Sequence, residues 1–342
     1  MATLQRRTFL AAAPATLLAA CEPAMPLTVS TTPKLKLESL NRDMPAIAER
    51  ARPGALGVAL MNLESGETFL FNGERRFPMQ SVFKLPLAAA VLSEADARRL
   101  QLHDRLVLTE QQLSPQHSPI ASAWPARSDY ELGQLLEAMV IDSDNTAADV
   151  LMKRIGGPGA VTGWLAGRRL TGVQVDRYER ELASEVYGMP SFRPEWRNPA
   201  VFAAAKSAVP PPVRLAAMRA YMADPRDTAT PRGMIEFLNA LDRQELLSPA
   251  STRLLLRLMS LTTRAAGRLR AGLPATAFLA HRPGTSGVDQ GLSTAHNDVG
   301  IFTLADKRAY AIAVFLSGST LGEAGRDRII ADVARAAVKG VG

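Results

Sequence analysis

Short apolar runs between polar turn residues predict β-strands near both ends of the chain. Leu56 to Asn62 and Thr68 to Asn72 are β-like runs separated by the turn residues Glu64-Ser65-Gly66-Glu67, which is the pattern of a hairpin. A final amphipathic helix is predicted from about Glu323 to Lys339. Before that helix lie further runs with strand character, namely Ala275 to Arg282, Asp298 to Leu304 and Ala309 to Ser317.

Helical patterns dominate the middle of the chain, from Ser81 to about Leu261, and Gly and Pro residues punctuate them. The strands before and after this block predict an α+β fold, in which both chain ends build one domain and an all-α domain is inserted between them. We place the α/β domain at residues 36–79 and 265–342 and the all-α domain at residues 80–264.

The first 21 residues have the pattern of an export signal. Arg6-Arg7 precedes the apolar, alanine-rich segment Leu10 to Ala20, which resembles a twin-arginine signal. The segment ends in Leu18-Ala19-Ala20-Cys21, the pattern of a bacterial lipoprotein processing site. We therefore expect a periplasmic protein that is anchored to the membrane through an acylated Cys21. The alternative is an ordinary cleaved signal with an incidental cysteine. Residues 22–35, rich in Pro and Thr, are predicted to form a tether.

Composition and charge narrow the possible classes of function. The 342 residues are 47% hydrophobic and 21% charged, and no stretch beyond the export signal is long and apolar enough to span a bilayer. The net charge of +7 is spread along the chain without Lys/Arg blocks, which argues against a nucleic-acid partner. The single cysteine excludes an intramolecular disulfide, and the 4 histidines lack the spacing of zinc ligands, so no metal or other cofactor is expected.

Three short motifs carry candidate chemistry. Ser81-Val82-Phe83-Lys84 opens an apolar helical run, and helical spacing places the serine hydroxyl and the lysine amine on one face. A serine becomes a useful nucleophile when a neighbouring base takes its proton, and Lys84 suits that role if burial lowers its pKa. Ser143-Asp144-Asn145 begins another helical run 62 positions later and by itself is an ordinary helix N-cap. The third motif, at the end of a predicted strand, is His281-Arg282-Pro283-Gly284-Thr285-Ser286-Gly287.

In this order the motifs resemble those of serine β-lactamases and penicillin-binding proteins, which are Ser-x-x-Lys, Ser-Asp-Asn and Lys-Thr-Gly. The resemblance is to class A β-lactamases in particular and covers nearly the whole chain after the export signal. It implies the β-lactamase/transpeptidase fold, with a five-stranded antiparallel sheet, flanking terminal helices and an inserted all-α domain. Further segments that carry it are Phe77 to Leu87, Asp144 to Ala148, Ile155 to Pro158, Asp176 to Glu179 and Arg226 to Pro231.

The resemblance implies a catalytic role for each matching residue. Ser81 would attack the lactam carbonyl, and Lys84 would move a proton, either directly or through Glu179 and a water molecule. Ser143 would pass a proton to the leaving nitrogen. Glu179 would activate the water that hydrolyses the acyl-enzyme, and the nearby Glu181 is the less favoured candidate for this step.

The resemblance also implies the groups that bind the substrate. Asn145 would hold the side-chain amide of the substrate. Arg282, in place of the family's lysine, and Arg268 would meet the carboxylate that β-lactams carry, although Arg268 is alternatively a solvated charge at a helix end. The backbone N–H of Thr285 would complete an oxyanion hole with that of the nucleophile. The implied substrate-binding residues of the strand motif are Gly284, Thr285 and Ser286.

Two single residues depart from the family pattern. Pro283 stands where Thr or Ser is usual, and Thr285 and Ser286 are the candidates to supply the missing hydroxyl. Proline in a strand fits an edge position that lines a cleft. Ala183 stands where the family usually has an Asn that shares the deacylation water with the glutamate, so we expect this water to be less well fixed and deacylation to be slower.

A third departure is an enlarged omega loop. Arg177 and Asp227 are 50 positions apart, and the resemblance pairs them as the salt bridge that closes this loop. The alternative is two unrelated surface charges. The insertion, at about residues 184–224, includes Pro210-Pro211-Pro212 and a predicted helix from Val213 to Ala223. It lies where it could cover the cleft, widen it or bind a partner.

The favoured interpretation is an exported monomer that hydrolyses the ring of a small-molecule β-lactam, without a cofactor. A D-alanyl-D-alanine peptidase or penicillin-binding protein is the first alternative, favoured by Ala183, Pro283 and the remodelled loop. The second alternative is a non-catalytic envelope lipoprotein that binds β-lactams or muropeptides. The presence of Ser81, Lys84, Ser143 and Glu179 argues against that last interpretation.

Overall fold

A computed structural model describes residues 34–114, 116–305 and 307–341. The predicted export signal, with Cys21, and most of the predicted tether lie outside this range. Leu35 is buried, and its backbone N–H donates to Glu67 Oε2 at 2.6 Å, so the folded body includes the last residue of the predicted tether. Among the described residues, no helix combines the length and apolarity that crossing a membrane requires.

The strands lie mainly near the two ends of the described chain. In chain order they are β1 (Ala55–Asn62), β2 (Thr68–Phe71), β3 (Phe77–Pro78), β4 (Arg105–Val107), β5 (Asp129–Glu131), β6 (Thr228–Ala229), β7 (Phe278–Thr285), β8 (Val288–Asp289), β9 (Leu292–Ser293), β10 (His296–Thr303) and β11 (Ala309–Ser317).

One helix precedes the first strand, most helices lie in the middle of the chain, and one long helix follows the last strand. They are α1 (Leu37–Arg50), α2 (Lys84–Asp96), α3 (Pro119–Ala123), α4 (Leu132–Glu137), α5 (Asn145–Arg154), α6 (Pro158–Ala166), α7 (Glu179–Glu185), α8 (Pro199–Ala208), α9 (Pro211–Ala223), α10 (Pro231–Asp242), α11 (Pro249–Ser260), α12 (Leu269–Gly272) and α13 (Glu323–Val341). Shorter turns are the 3-10 turns Gln80–Phe83, Glu110–Gln112 and Pro194–Arg197 and the π-helical turn Ala138–Asp142.

The main sheet has five strands in the order β2-β1-β11-β10-β7, and every neighbouring pair is antiparallel. This arrangement confirms the α+β fold class, with strands from both chain ends in one sheet and helices between them. Short pairings that the sequence did not predict, such as β3 with β6, join segments outside the sheet. The pair β3–β6 matters for the site because β3 leads directly into the turn that carries Ser81.

Alternation along the central strands builds a core on each face of the sheet. In β11, Ile312, Val314 and Leu316 pack with the terminal helices α1 and α13, while Ala313 and Phe315 face the other core. That second core includes α2, whose residues from Lys84 to Leu92 are all buried. A helix buried on every side needs apolar residues all round, as its sequence provides. Lys84, the first residue of this helix, is therefore buried with it.

The strand that carries the third motif lies at the edge of the sheet, as predicted from its proline. It begins at Phe278, later than expected from the sequence, and continues through Thr285. Pro283 is tolerated because an edge strand leaves one side of its backbone without a ladder partner. The strand continues past Pro283 because the residues after it still pair with β10.

The insertion of the omega loop is folded and packs against α7. One apolar cluster joins Leu182 and Val186 to Met218 and Tyr221 of α9. A second cluster joins Ala183 to aromatic and apolar residues that precede or belong to α8, namely Met189, Trp196 and Phe202. The predicted helix from Val213 is confirmed, with a start at Pro211. Both added helices begin with proline at their first turn, where a missing N–H costs no hydrogen bond.

Candidate active site

The nucleophile candidate Ser81 lies in the 3-10 turn Gln80–Phe83, immediately before α2. Asn297 fixes the approach to this turn, because its Nδ2 donates to the carbonyl oxygens of Pro78 at 2.9 Å and Met79 at 3.0 Å. Gln80 has a left-handed φ of 47°, and its Nε2 donates to Tyr221 Oη at 2.9 Å. The turn is thus held from the sheet on one side and from the insertion on the other.

Lys84 is fully buried and lies among oxygen acceptors. Its Nζ donates to the carbonyl oxygen of Ser143 at 2.7 Å and to Asn145 Oδ1 at 2.5 Å. The same Nζ is 3.4 Å from Ser81 Oγ and 3.2 Å from Ser143 Oγ. Burial lowers the pKa of Lys84 to about 8, and the nearby Glu179 carboxylate opposes part of this shift. An amine poised near neutrality beside a serine hydroxyl can exchange a proton with it.

Ser143 completes a triangle with these two groups. It follows the π-helical turn and has a left-handed φ of 65°, and its Oγ donates to Ser81 Oγ at 3.1 Å. Asp144 caps α5 by accepting from the N–H of Ala147 at 2.8 Å, so the Ser-Asp-Asn segment does act as a helix start. The structure brings the first two predicted motifs into direct contact.

Glu179 is the first residue of α7 and its side chain is only 7% exposed. It lines the same cleft as Ser81, and no described residue donates to its Oε2. Burial raises the pKa of this carboxyl, and the Lys84 ammonium counteracts the shift. A buried carboxylate oxygen without a protein donor is available to accept a hydrogen bond from a water molecule. Glu181, by contrast, accepts from the N–H of Tyr178 and serves as a cap of α7.

The two predicted carboxylate-binding arginines are both engaged with the protein. Arg282 is fully buried; it donates to the carbonyl oxygens of Ser81 at 3.0 Å and Val140 at 2.9 Å and to Ser143 Oγ at 2.5 Å. Arg268 is 3% exposed and pairs with Asp327 at 3.0 Å. Arg282 therefore donates hydrogen bonds to both catalytic serines. The carboxylate-binding roles of Arg282 and Arg268 stay predictions.

The strand residues of the third motif lie against the nucleophile turn. A Cβ on Gly284 would lie 2.3 Å from the carbonyl oxygen of Met79, so only glycine allows this close approach. Thr285 Oγ1 accepts from Arg268 Nη2 at 2.7 Å and is free to donate toward the cleft. Ser286 Oγ accepts instead from the N–H of Thr294 at 2.9 Å. Thr285 is the better placed candidate for the hydroxyl that Pro283 lacks.

Arg177 and Asp227 form the ion pair that was predicted to close the omega loop. Arg177 Nε lies 2.5 Å from Asp227 Oδ2, and both side chains are buried. Burial raises the pKa of Asp227 even though its partner is a cation. For Arg177, burial acts to lower the pKa, but the carboxylates of Asp227 and Glu185 outweigh it, and the pKa is raised. The two charges are not independent surface groups.

Sequence reasoning missed a buried carboxylate that places Glu179. Asp149 Oδ1 accepts from the N–H of Glu179 at 2.7 Å, and its Oδ2 accepts from Ser114 Oγ at 2.5 Å and Arg180 Nε at 3.1 Å. A signal existed, because Asp149 is one helical turn beyond Asn145 in an otherwise apolar run. The cleft itself has a volume of about 460 Å³ and is lined also by Arg264, Tyr187 and His117.

A buried lysine and two contacting serines beside an isolated carboxylate, on a five-stranded sheet with an all-α insertion, define a serine acyl-transfer site. Residues 39–341 match the model of the beta-lactamase enzyme family, and the chain belongs to this family. The resemblance to class A is confirmed by the relatives below.

Curated relatives and solved structures agree on this placement. Beta-lactamase VEB-1 of Pseudomonas aeruginosa is 30% identical over 84% of this chain and 85% of its own length. Extended-spectrum beta-lactamase PER-1 of the same species is also 30% identical, over 84% of this chain and 82% of its own. A beta-lactamase structure from Chitinophaga pinensis is 32% identical, with a TM-score of 0.71 over 87% of this chain and 97% of that one. The reconstructed class A beta-lactamase of the last common ancestor of Gram-negative bacteria is 30% identical, with a TM-score of 0.72 over 88% and 98%.

Proposed function

We propose that this chain hydrolyses the β-lactam ring of penicillins and cephalosporins and thereby gives antibiotic resistance. The observation that carries the proposal is the contact of Lys84 Nζ and Ser143 Oγ with Ser81 Oγ, at 3.4 and 3.1 Å, in a cleft that also holds Glu179. Membership of the beta-lactamase enzyme family supports it.

In the acylation half, Ser81 Oγ adds to the lactam carbonyl carbon as its proton passes to Lys84, or through water to Glu179. The carbon–nitrogen bond of the ring then breaks, and the ring nitrogen takes a proton that Ser143 relays. Arg282 donates to Ser143 Oγ and so stabilises negative charge on that oxygen while its proton is in transit. The product of this half is an ester between Ser81 and the opened lactam.

In the deacylation half, a water molecule adds to the ester carbon while Glu179 takes its proton. The ester bond breaks, and the proton returns to Ser81 Oγ as the penicilloate or cephalosporoate leaves. Glu179 suits this role because burial raises its pKa, which makes it a stronger base than an exposed carboxylate.

The test is to mix the purified protein with a chromogenic cephalosporin and then to measure the intact mass. We expect many turnovers per molecule and no lasting adduct, whereas Ser81→Ala should give neither turnover nor adduct while keeping the melting temperature. A single turnover that leaves a persistent mass on Ser81 would favour the penicillin-binding alternative. Absence of both turnover and adduct would favour the non-catalytic binder.

We further propose that the chain is exported and anchored to the membrane through Cys21. The support is the sequence Arg6-Arg7 followed by an apolar segment that ends at Leu18-Ala19-Ala20-Cys21. Labelling with a tagged fatty acid should mark the native chain and not Cys21→Ser. A Cys21→Ser chain that still carries the label would contradict this anchor.

A further inference from the structure

The cleft contains a cation, Arg264, that belongs to none of the three sequence motifs. Arg264 lies in the segment between α11 and α12, its side chain is exposed, and it lines the cleft together with Ser81. The predicted carboxylate ligands are less available. Arg282 does not line the cleft, and Arg268 is held by Asp327. Among the described cleft residues, Arg264 is the cation with the most freedom to meet a ligand.

Arg264 contacts a histidine that also lines the cleft. Its Nη1 is 2.8 Å from His117 Nε2. That same Nε2 is 2.6 Å from the carbonyl oxygen of Asp142, so the two contacts compete: Nε2 can donate to Asp142 or accept from Arg264, but cannot do both. In the described chain no carboxylate forms an ion pair with Arg264.

Arg264 is not paired with any described acidic residue of the cleft. The pKa of Arg282 is lowered to about 9. Burial is the first cause, and the positive charge of the nearby Arg264 is the second. Of the acidic residues that line the cleft, Asp327 pairs with Arg268 and contacts His296 at 2.7 Å, and neither Glu179 nor Glu323 pairs with Arg264. A ligand carboxylate between Arg264 and the free side of Thr285 would bind through charge-assisted hydrogen bonds.

We propose that Arg264 is the residue that binds the substrate carboxylate in this chain, with Thr285 Oγ1 as the second donor. The inference rests on the proposed hydrolysis of β-lactams and adds the residue that selects anionic lactams. On binding, the guanidinium leaves the imidazole of His117 and turns to the carboxylate. Arg268 then acts as a positioning residue, because its Nη2 donates to Thr285 Oγ1 and so turns the threonine hydrogen toward the ligand.

The test compares one chromogenic cephalosporin as the free acid and as its methyl ester, with acylation rates measured for the native protein and for single variants. Arg264→Gln should lower the acylation efficiency for the acid about 10- to 100-fold, as expected for the loss of a charge-assisted bond, and should change the ester less than about twofold. Arg264→Lys, which keeps the charge, should restore a large part of the acid preference. Arg253→Gln is the matched control, because Arg253 is an exposed arginine of α11 outside the cleft.

Each outcome separates the assignment from its premise. An acid-to-ester ratio that Arg264→Gln leaves unchanged overturns the role of Arg264, and so does an equal loss for both substrates. If Arg268→Gln abolishes the ratio while Arg264→Gln keeps it, the carboxylate belongs to Arg268. A native protein that is acylated by neither form contradicts the proposed hydrolysis itself.

Discussion

The two sides of the cleft that carry the two halves of the reaction are built differently. On the acylation side, Lys84 Nζ contacts four oxygens of three residues, and Arg282 donates to the same serine that Lys84 contacts. On the deacylation side, Glu179 Oε2 has no donor among the described residues, and the next residue on that face of α7 is Ala183. The acylation groups are fixed by protein, whereas the deacylation water depends on one carboxylate.

This difference teaches where the chain has room to vary. A serine nucleophile must be held by several hydrogen bonds because its proton moves among fixed groups. A water molecule can be held by fewer protein groups, at a cost in rate. The insertion fills the space beside Glu179 with the apolar cluster of Ala183, Met189, Trp196 and Phe202. The loop therefore packs apolar side chains around Ala183, beside Glu179.

The largest effect should come from removing the base on the deacylation side. We expect Glu179→Gln to slow deacylation about 10²- to 10⁴-fold while acylation still occurs, so that the acyl-enzyme accumulates. Stopped-flow absorbance and intact mass measure the two steps separately. Glu181→Gln is the matched control on the same helix, since its side chain caps α7 and points away from this chemistry. A Glu179→Gln protein that turns over like the native one would move the water activator elsewhere.

The next effect concerns the ion pair that closes the omega loop, on the deacylation side. Arg177→Gln leaves Asp227 buried without its cation, and we expect the free energy of unfolding to fall by about 3 kcal/mol, as for other broken buried pairs. Urea denaturation measures this change. Arg226→Gln is the control, because that arginine is half exposed and pairs with Asp224 at the surface, where an ion pair contributes about 0 to 1 kcal/mol. Equal losses for the two variants would show that the buried pair does not close the loop.

Much of this arrangement could be predicted from the sequence, and the limits have physical causes. Continuous apolar runs predicted β1, β10 and β11 to within two residues at each end, because these strands are buried on both faces. The hydrogen-bond partners of Arg282 and Arg268 could not be predicted, because these partners are distant in sequence and are brought close only by the whole fold. The helix α8 was not predicted, although Asn198 followed by Pro199 is a helix-start signal and the Asn side chain does cap the helix.

The pH dependence of the two halves should differ, and the comparison can be sharpened by measuring both. Deacylation needs ionised Glu179, whose pKa is raised by burial, so deacylation should slow as the pH falls toward and through that raised value. If Lys84 is the acylation base, acylation should rise as the pH increases through about 8, because the neutral amine becomes the main form. The limiting slope is about tenfold per pH unit for one proton. Acylation without a rise near that pH would assign the base role to Glu179 and its water.

The smallest expected effect tests whether apolar packing of the loop limits deacylation. Ala183→Asn places an amide one helical turn beyond Glu179, where it can share the water, and we expect deacylation to rise about two- to tenfold. The same amide enters the cluster of Met189, Trp196 and Phe202, so the free energy of unfolding should fall by about 1 to 2 kcal/mol. Ala183→Leu is the matched control, because leucine adds a similar volume without a hydrogen-bonding group. If leucine speeds deacylation as much as asparagine does, displacement of the loop and not positioning of the water sets the rate. Deacylation would then be limited by the packing of the loop.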